Sequence, residues 1–356
     1  MEYAADEIGQ SETRLDLGGR RQDRTKAVTG GCRKGGVLVV GVAFHFDLFK
    51  FSLVQGVALG ALYGILAIAL VLTFRMSRVV GFVHGGIATA SAFFYWYLVA
   101  DPTLVSGQSV GGAAWNTHQW PKFPAVILAV VLGAVLGAIF GSVVTGRMAT
   151  WPRVTVTTFS LGVMLLLAGV ASSIWKSAFE NVPSPFGEKS TKILGSPTRH
   201  HDIAVVIIMI VLVVSLNFVL TRTKLGTQIR AIADDIDAAA IVGIPVQKIS
   251  MGVWCAAGAL AGLGGVLLTP MTRLGTSVIL FVLLRSTAGA VLGGFDSLPL
   301  ALGGALIFGQ VESQVQGGTF GTVGSGWREV ILMTILFLGV ILLARRSQGR
   351  FQLAEG

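Results

Sequence analysis

The sequence predicts an all-α protein, a polytopic bundle of about eight to nine transmembrane helices, and three observations predict it. The chain is 53% hydrophobic and only 13% charged, with mean hydropathy +0.74, whereas soluble domains carry roughly 25% charged residues. Apolar runs recur along it, most long enough to cross a ~30 Å hydrocarbon core at about 1.5 Å per residue. It also holds 47 glycines, the residue that lets membrane helices approach closely. The net charge of +9 would suggest nucleic acid in a soluble chain. Here it reads as arginine and lysine on cytoplasmic loops, so the expected surroundings are membrane lipid and no nucleic acid. Cys32 and Cys255 give neither a disulfide framework nor a metal spacing.

Residues 1–36 are polar and of mixed charge, with Arg14, Arg20, Arg21, Arg24, Arg33 and Lys34 among them. They read as a disordered tail, or as the product of a start upstream of the true one, which a Val codon near Val37 to Val42 would supply. Residues 53–74 form the first span, with Gly56, Gly60 and Gly64 on one helix face. Arg75 and Arg78 bound a turn. Residues 79–100 form the second span and open with Gly81-Phe82-Val83-His84-Gly85-Gly86. His84 is either a packed, hydrogen-bonded histidine at a helix start or part of a broken helix lining a path, where irregular backbone is tolerated. Phe93 to Tyr97 supply an interfacial aromatic belt.

Residues 101–122 read as an outer loop and 123–146 as the third span, with Gly133, Gly137 and Gly141 again four apart. Arg147 and Arg153 flank Trp151-Pro152. Residues 154–175 form the fourth span. Residues 176–202, with Pro183, Pro185 and Pro197, show no helical pattern and read as a second outer loop. Residues 203–221 form the fifth span.

Residues 222–248 are the longest polar stretch between apolar runs, with Arg222, Lys224, Arg230 and Lys248 against Asp234, Asp235 and Asp237. A stretch this polar and this rich in helix formers is suited to docking on a partner in water. Arg230 and Asp234 stand four apart and are placed to pair across one turn. Residues 249–270 form the sixth span, with Gly258 and Gly262, and 276–292 the seventh, which carries Arg285. A charge there is costly unless paired or in a wet cavity. Gly293 and Gly294 open a turn. Residues 300–311 are apolar but short and end at Glu312. Residues 327–344 form the last span, and 345–356 a basic tail. Arg285 either meets Glu312 within the bundle or biases a cavity toward a carboxylate.

The basic clusters at 75–78, 147–153, 222–248 and 345–350 fall on one side if each long run crosses once, and that side is cytoplasmic. The basic N-terminal tail then lies outside. Either it is a start-site artefact, the favoured reading, or residues 37–51 make an extra pass.

No GxxxxGK[ST] phosphate loop, HExxH or CxxC pair occurs. Few carboxylates lie in the spans, unlike a proton- or sodium-driven carrier. The energy source is therefore expected in another subunit, and the chain itself is expected not to be an enzyme.

Three stretches resemble the permease subunits of bacterial ABC importers for branched-chain amino acids. The first, residues 53–93, carries Gly56, Gly60, Tyr63, Leu66, Gly81, Phe82, His84 and Gly85. The second, 223–265, carries Gly226, Arg230, Ala231, Ala233, Asp235, Ala238, Ala239, Gly243 and Ile244, then Leu260, Ala261, Gly262 and Gly265. The third is Ala-Gly-Ala-Val-Leu-Gly-Gly-Phe-Asp-Ser over residues 288–297, running on to Glu312 and Ser313. Gly81 stands where the family usually has Asn.

The resemblance covers residues 53–344 and implies an inner-membrane transport permease. It implies that no cofactor is held by this chain and that ATP is bound by partner subunits. It implies two ABC ATPases, a second permease, related or identical, and an extracytoplasmic substrate-binding protein. It makes residues 222–248 an ATPase-coupling loop carried by Gly226, Arg230, Asp234, Asp235, Asp237, Ala238, Ala239 and Gly243. Candidate path residues are Gly81, Phe82, His84, Gly85, Arg285, Gly293, Gly294 and Glu312. Relatives in the same superfamily carry urea, short amides, sugars or nucleosides. The competing class is a stand-alone carrier or channel, which would transport alone in liposomes.

Overall fold

In a computed structural model, the described residues are 46–99, 120–148, 151–175, 182–187, 189–193, 196–272, 274–295 and 297–316, with 330, 331, 333, 334 and 338 beyond them. The expected tail at 1–36, most of the loop at 101–122 and of the last span, and the basic tail at 345–356 lie outside these. The helices in chain order are α1 (Phe46–Ser77), α2 (Val83–Val99), α3 (Lys122–Gly146), α4 (Arg153–Trp175), α5 (His200–Arg222), α6 (Lys224–Asp234), α7 (Ile236–Ile241), α8 (Val246–Leu268), α9 (Thr276–Leu292) and α10 (Leu298–Gln316). Strands β1 (Ser190–Ile193) and β2 (Ser196–Arg199) pair antiparallel between α4 and α5. Among the described residues, α1, α3, α4, α5 and α8 are each long and apolar enough to cross a membrane. The protein is a multi-pass membrane protein.

Four sequence expectations are corrected here. The first helix starts at Phe46, seven residues before the expected 53, because Asp47 and Lys50 interrupt the apolar run without ending the helix. The second starts at Val83, not 79: Arg78 is left-handed at φ +54° and residues 78–82 are not helical. The outer stretch at 176–202 holds the β1–β2 hairpin. The doubtful short segment at 300–311 is the 19-residue α10, with Glu312 inside it.

Helix α1 is the axis. It is 83% buried over its apolar window, against 22–28% for α3, α4 and α5. The outer helices expose rows such as Ile127, Val131, Val135 and Ile139. At four-residue spacing these form one apolar stripe, suited to lipid rather than water.

Two crossings hold the bundle, and both use missing Cβ atoms. Along α3 and α8, Gly133 and Gly137 lie against the backbone of Gly258, Gly262 and Trp254, and Gly141 against the Trp254 ring. Along α1 and α10, Gly60 meets the backbone of Leu306 and Gly309, while Gly56 faces Gln310 and Gly64 faces Leu302. A side chain at Gly137 or Gly60 would run into backbone, which cannot move aside.

These pairings repeat. α1 packs on α10 as α8 packs on α3, and α1 on α9 as α8 on α2. α2 and α9 are both 17 residues long. α1 ends where α8 begins, so the triplets α1–α2–α3 and α8–α9–α10 run in opposite directions. That is the inverted-repeat plan of many transporters.

One end of the bundle gathers the basic residues. Arg75, Arg78 and Arg230 line one pocket, Phe74 packs on Phe295 with ring centroids 4.5 Å apart, and Gly146, next to Arg147, faces Gln247 at the start of α8. At the opposite end, Tyr95 and Lys122 donate to the carbonyls of Pro183 and Ser184, and Arg199 to that of Pro270.

Candidate functional site

The basic end carries an elbow of two short helices between α5 and α8. Thr223 caps α6, its Oγ1 accepting from the Gly226 amide at 3.4 Å. A Cβ at Gly226 would collide with the Leu220 carbonyl, which fixes glycine at this corner. Arg230 donates through Nη1 to the same Leu220 carbonyl at 3.2 Å and through Nη2 to Thr227 Oγ1 at 3.4 Å. It thus closes the C-terminus of α5, whose last carbonyls lack helical partners. The expected Arg230–Asp234 pair does not form, because the guanidinium is spent on this corner. Ile229 and Ile232 bury the inner face of α6.

Asp235 then breaks the helix and starts the next. Its extended backbone and its Oδ1, accepting from the amides of Asp237 (2.9 Å) and Ala238 (3.0 Å), form the N-cap of α7. Asp237 sits in the first turn, where a negative charge favours the helix dipole. Ala239 faces inward and Ala238 outward. Gly243, at φ +88°, ends the helix, with the Ile244 amide reaching back to the Ala239 carbonyl at 3.0 Å. Only glycine takes that backbone at little cost. The tip presents Ile241 and Val242, 86% and 81% exposed. Two such side chains on a polar elbow outside the apolar bundle form an exposed apolar knob.

Within the bundle lies a buried polar cluster. Glu312 on α10 is 1% exposed; its Oε1 stands 2.8 Å from Arg285 Nη1 on α9 and accepts from Gln316 Nε2 at 2.9 Å. Its Oε2 accepts from the Tyr63 hydroxyl on α1 at 2.7 Å. The cluster therefore ties three helices. Arg285 keeps 14% exposure, so only its edge is open.

The α1–α2 break is packed rather than open. Ser160 on α4 donates to the Val80 carbonyl at 3.3 Å and accepts from the Phe82 amide at 3.2 Å, satisfying irregular backbone. His84 is fully buried, its Nδ1 donating to the Gly81 carbonyl, and stacks on Trp254 at 5.6 Å. It has the geometry of a packed histidine at a helix start. Gly85 touches Leu283, two residues before Arg285. Gly293 packs on Ala301 at the end of α9, and Gly294 turns the chain at φ +70°. The structure thus brings Arg285 and Glu312 together and sets Gly85 against α9 near Arg285, while Gly81 and Phe82 precede α2 and Gly293 and Gly294 follow α9.

Tyr63, Ser160, Gln316, Ile241 and Val242 were not singled out from sequence as site residues. The signal for Tyr63 and Ser160 is a hydroxyl inside an apolar run. For Ile241 and Val242 it is an apolar pair just before a helix-ending glycine.

Residues 52–344 match the family described as branched-chain amino acid transport system / permease component. The chain is 20% identical over 311 residues to the high-affinity branched-chain amino acid transport system permease protein LivH of Salmonella typhimurium, covering 86% of this chain and 97% of that protein. It is 23% identical over 313 residues to the corresponding permease BraD of Pseudomonas aeruginosa, covering 84% and 95%, and 22% identical over 312 residues to LivH of Escherichia coli, covering 86% and 97%. No solved structure matches.

Proposed function

The chain belongs to the branched-chain amino acid transport system permease family, and from that premise we propose that it forms the path for branched-chain, hydrophobic amino acids in the inner membrane of a bacterium, as one subunit of an ABC importer. Separate ATPase subunits bind ATP and supply the energy, two per complex. A second permease, identical or related, completes the membrane part, and a soluble binding protein delivers substrate to the outer end.

The observation that carries this reading is α7: a capped helix, stopped by Gly243, that holds Ile241 and Val242 out at the basic end of the bundle. An ATPase groove would take that knob. Movement of the ATPases would then push α7, and α6 and α8 would pass the motion to α5 and the α3–α8 crossing. The names of the relatives support the substrate class. A hydrophobic side chain needs few polar contacts in the path, and the buried charges Arg285 and Glu312 are paired with each other.

Co-purification of the tagged chain from its own membranes, followed by mass spectrometry, tests the coupling role. ABC ATPases should accompany the wild-type chain and be lost from Asp237→Arg/Gly243→Arg. Recovery of the chain alone under gentle conditions, unchanged by the substitutions, would overturn it.

A further inference from the structure

An apolar crevice opens between two of the helices long and apolar enough to cross a membrane. Helix α5 leans on α1 and α6 rather than along α8, which leaves an open crevice of about 660 Å³ between α5 and α8. Its walls are apolar: Leu212 and Leu216 from α5, Val253 and Leu260 from α8, and Val130 from α3. Lys248 lines it at the α8 start, the cytoplasmic end. From Lys248 to Leu263 the crevice runs about 22 Å along α8, somewhat more than one leaflet of hydrocarbon.

A smaller pocket of about 230 Å³ adjoins it, lined by Arg75, Arg78 and Arg230, with Asp234 as the opposing charge. Leu72, Leu220 and Ile229 line both spaces, so the basic pocket and the apolar crevice meet across one shared wall. The pairing is an oily groove in the inner leaflet with a net positive pocket at its cytoplasmic mouth. Guanidinium groups match phosphate oxygens in geometry and charge, and basic pockets between membrane helices on the cytoplasmic side are suited to anionic headgroups.

We propose that these two spaces together bind one anionic phospholipid of the cytoplasmic leaflet, its phosphate between Arg75 and Arg78 and an acyl chain in the α5–α8 crevice. The site touches the α5–α6 corner that Arg230 closes, so an occupied site would brace the elbow that carries α7.

The test uses the full chain with whatever subunits accompany it. The protein is reconstituted in nanodiscs of phosphatidylglycerol and phosphatidylcholine in equal parts, and retained lipid is read by native mass spectrometry. The wild-type protein should retain phosphatidylglycerol in preference. Arg75→Gln/Arg78→Asn should reduce that preference on the order of tenfold; asparagine tolerates the left-handed backbone at position 78. Gly252→Phe is the second variant. Gly252 lines the crevice, and a Cβ there meets nothing within 4 Å, so the ring fills the groove without displacing the protein; retention of both lipids should fall. No preference in the wild-type protein would overturn the proposal. So would a preference unchanged by the arginine substitutions in a monodisperse sample, or one that survives Gly252→Phe, which would mean that an anion binds without the groove.

Discussion

A carboxylate that is 1% exposed inside an apolar bundle must be paired, and Glu312 is paired three ways, with Arg285, Tyr63 and Gln316. Leaving one ion of a buried pair alone costs about 3–5 kcal/mol, whereas replacing both by apolar residues of similar volume is often neutral. Arg285→Met alone should therefore lower the thermal midpoint of the detergent-solubilised protein sharply, and Arg285→Met/Glu312→Met should restore most of it. Uptake separates structure from transport. If the stable double variant still imports substrate, the cluster serves to tie α1, α9 and α10. If it is stable but inactive, the exposed edge of Arg285 belongs to the path. At the elbow the decisive residues are apolar. Ile241→Asp/Val242→Asp leaves the cap at Asp235 and the stop at Gly243 intact, so α7 should persist while ATPase stimulation by the reconstituted permease falls about tenfold or more, on the scale of losing central apolar anchors from an interface.

At the scale of elements, the two glycine crossings decide whether the bundle closes. Gly137→Leu places a side chain against the backbone of Trp254 and Gly258. Folded yield, read by fluorescence-detected size exclusion, should collapse. Gly169→Leu on α4, where a Cβ meets nothing within 4 Å, should behave like wild type. Equal yields would mean that the α3–α8 contact is not limiting. Most helices were legible as apolar runs, because backbone in hydrocarbon has few alternatives to helix. The misreadings have local causes. Hydropathy placed the end of the last described helix at Glu312, but Glu312 is neutralised by its partners, so α10 continues to Gln316. It carried Val79 and Val80 into the helix, but the Val80 carbonyl and the Phe82 amide bond to the Ser160 hydroxyl instead. It could not see β1 and β2, because four-residue strands reading Ser-Thr-Lys-Ile and Ser-Pro-Thr-Arg have no strand composition. Of the elbow, the polar stretch and its glycine at 243 could be read from residue types, but the break at Asp235 could not. The partner of Arg230 could not: a backbone carbonyl ten residues away leaves no mark in the sequence.

At the scale of the molecule, α1–α2–α3 and α8–α9–α10 are two opposed triplets joined through α4, α5 and the α6–α7 elbow. The elbow is the link between α5 and α8 at the basic end of the bundle, so a push on it bears on the second triplet first. Under the proposed function, that asymmetry is the lever through which separate ATPase subunits would act. The most direct test is uptake of radiolabelled leucine into liposomes holding the chain together with its co-purified subunits, with and without ATP on the ATPase side. The account predicts uptake that requires ATP, is competed by isoleucine and valine, and is lost in Ile241→Asp/Val242→Asp. Leucine uptake by the chain alone, without ATP and unchanged by those substitutions, would contradict it.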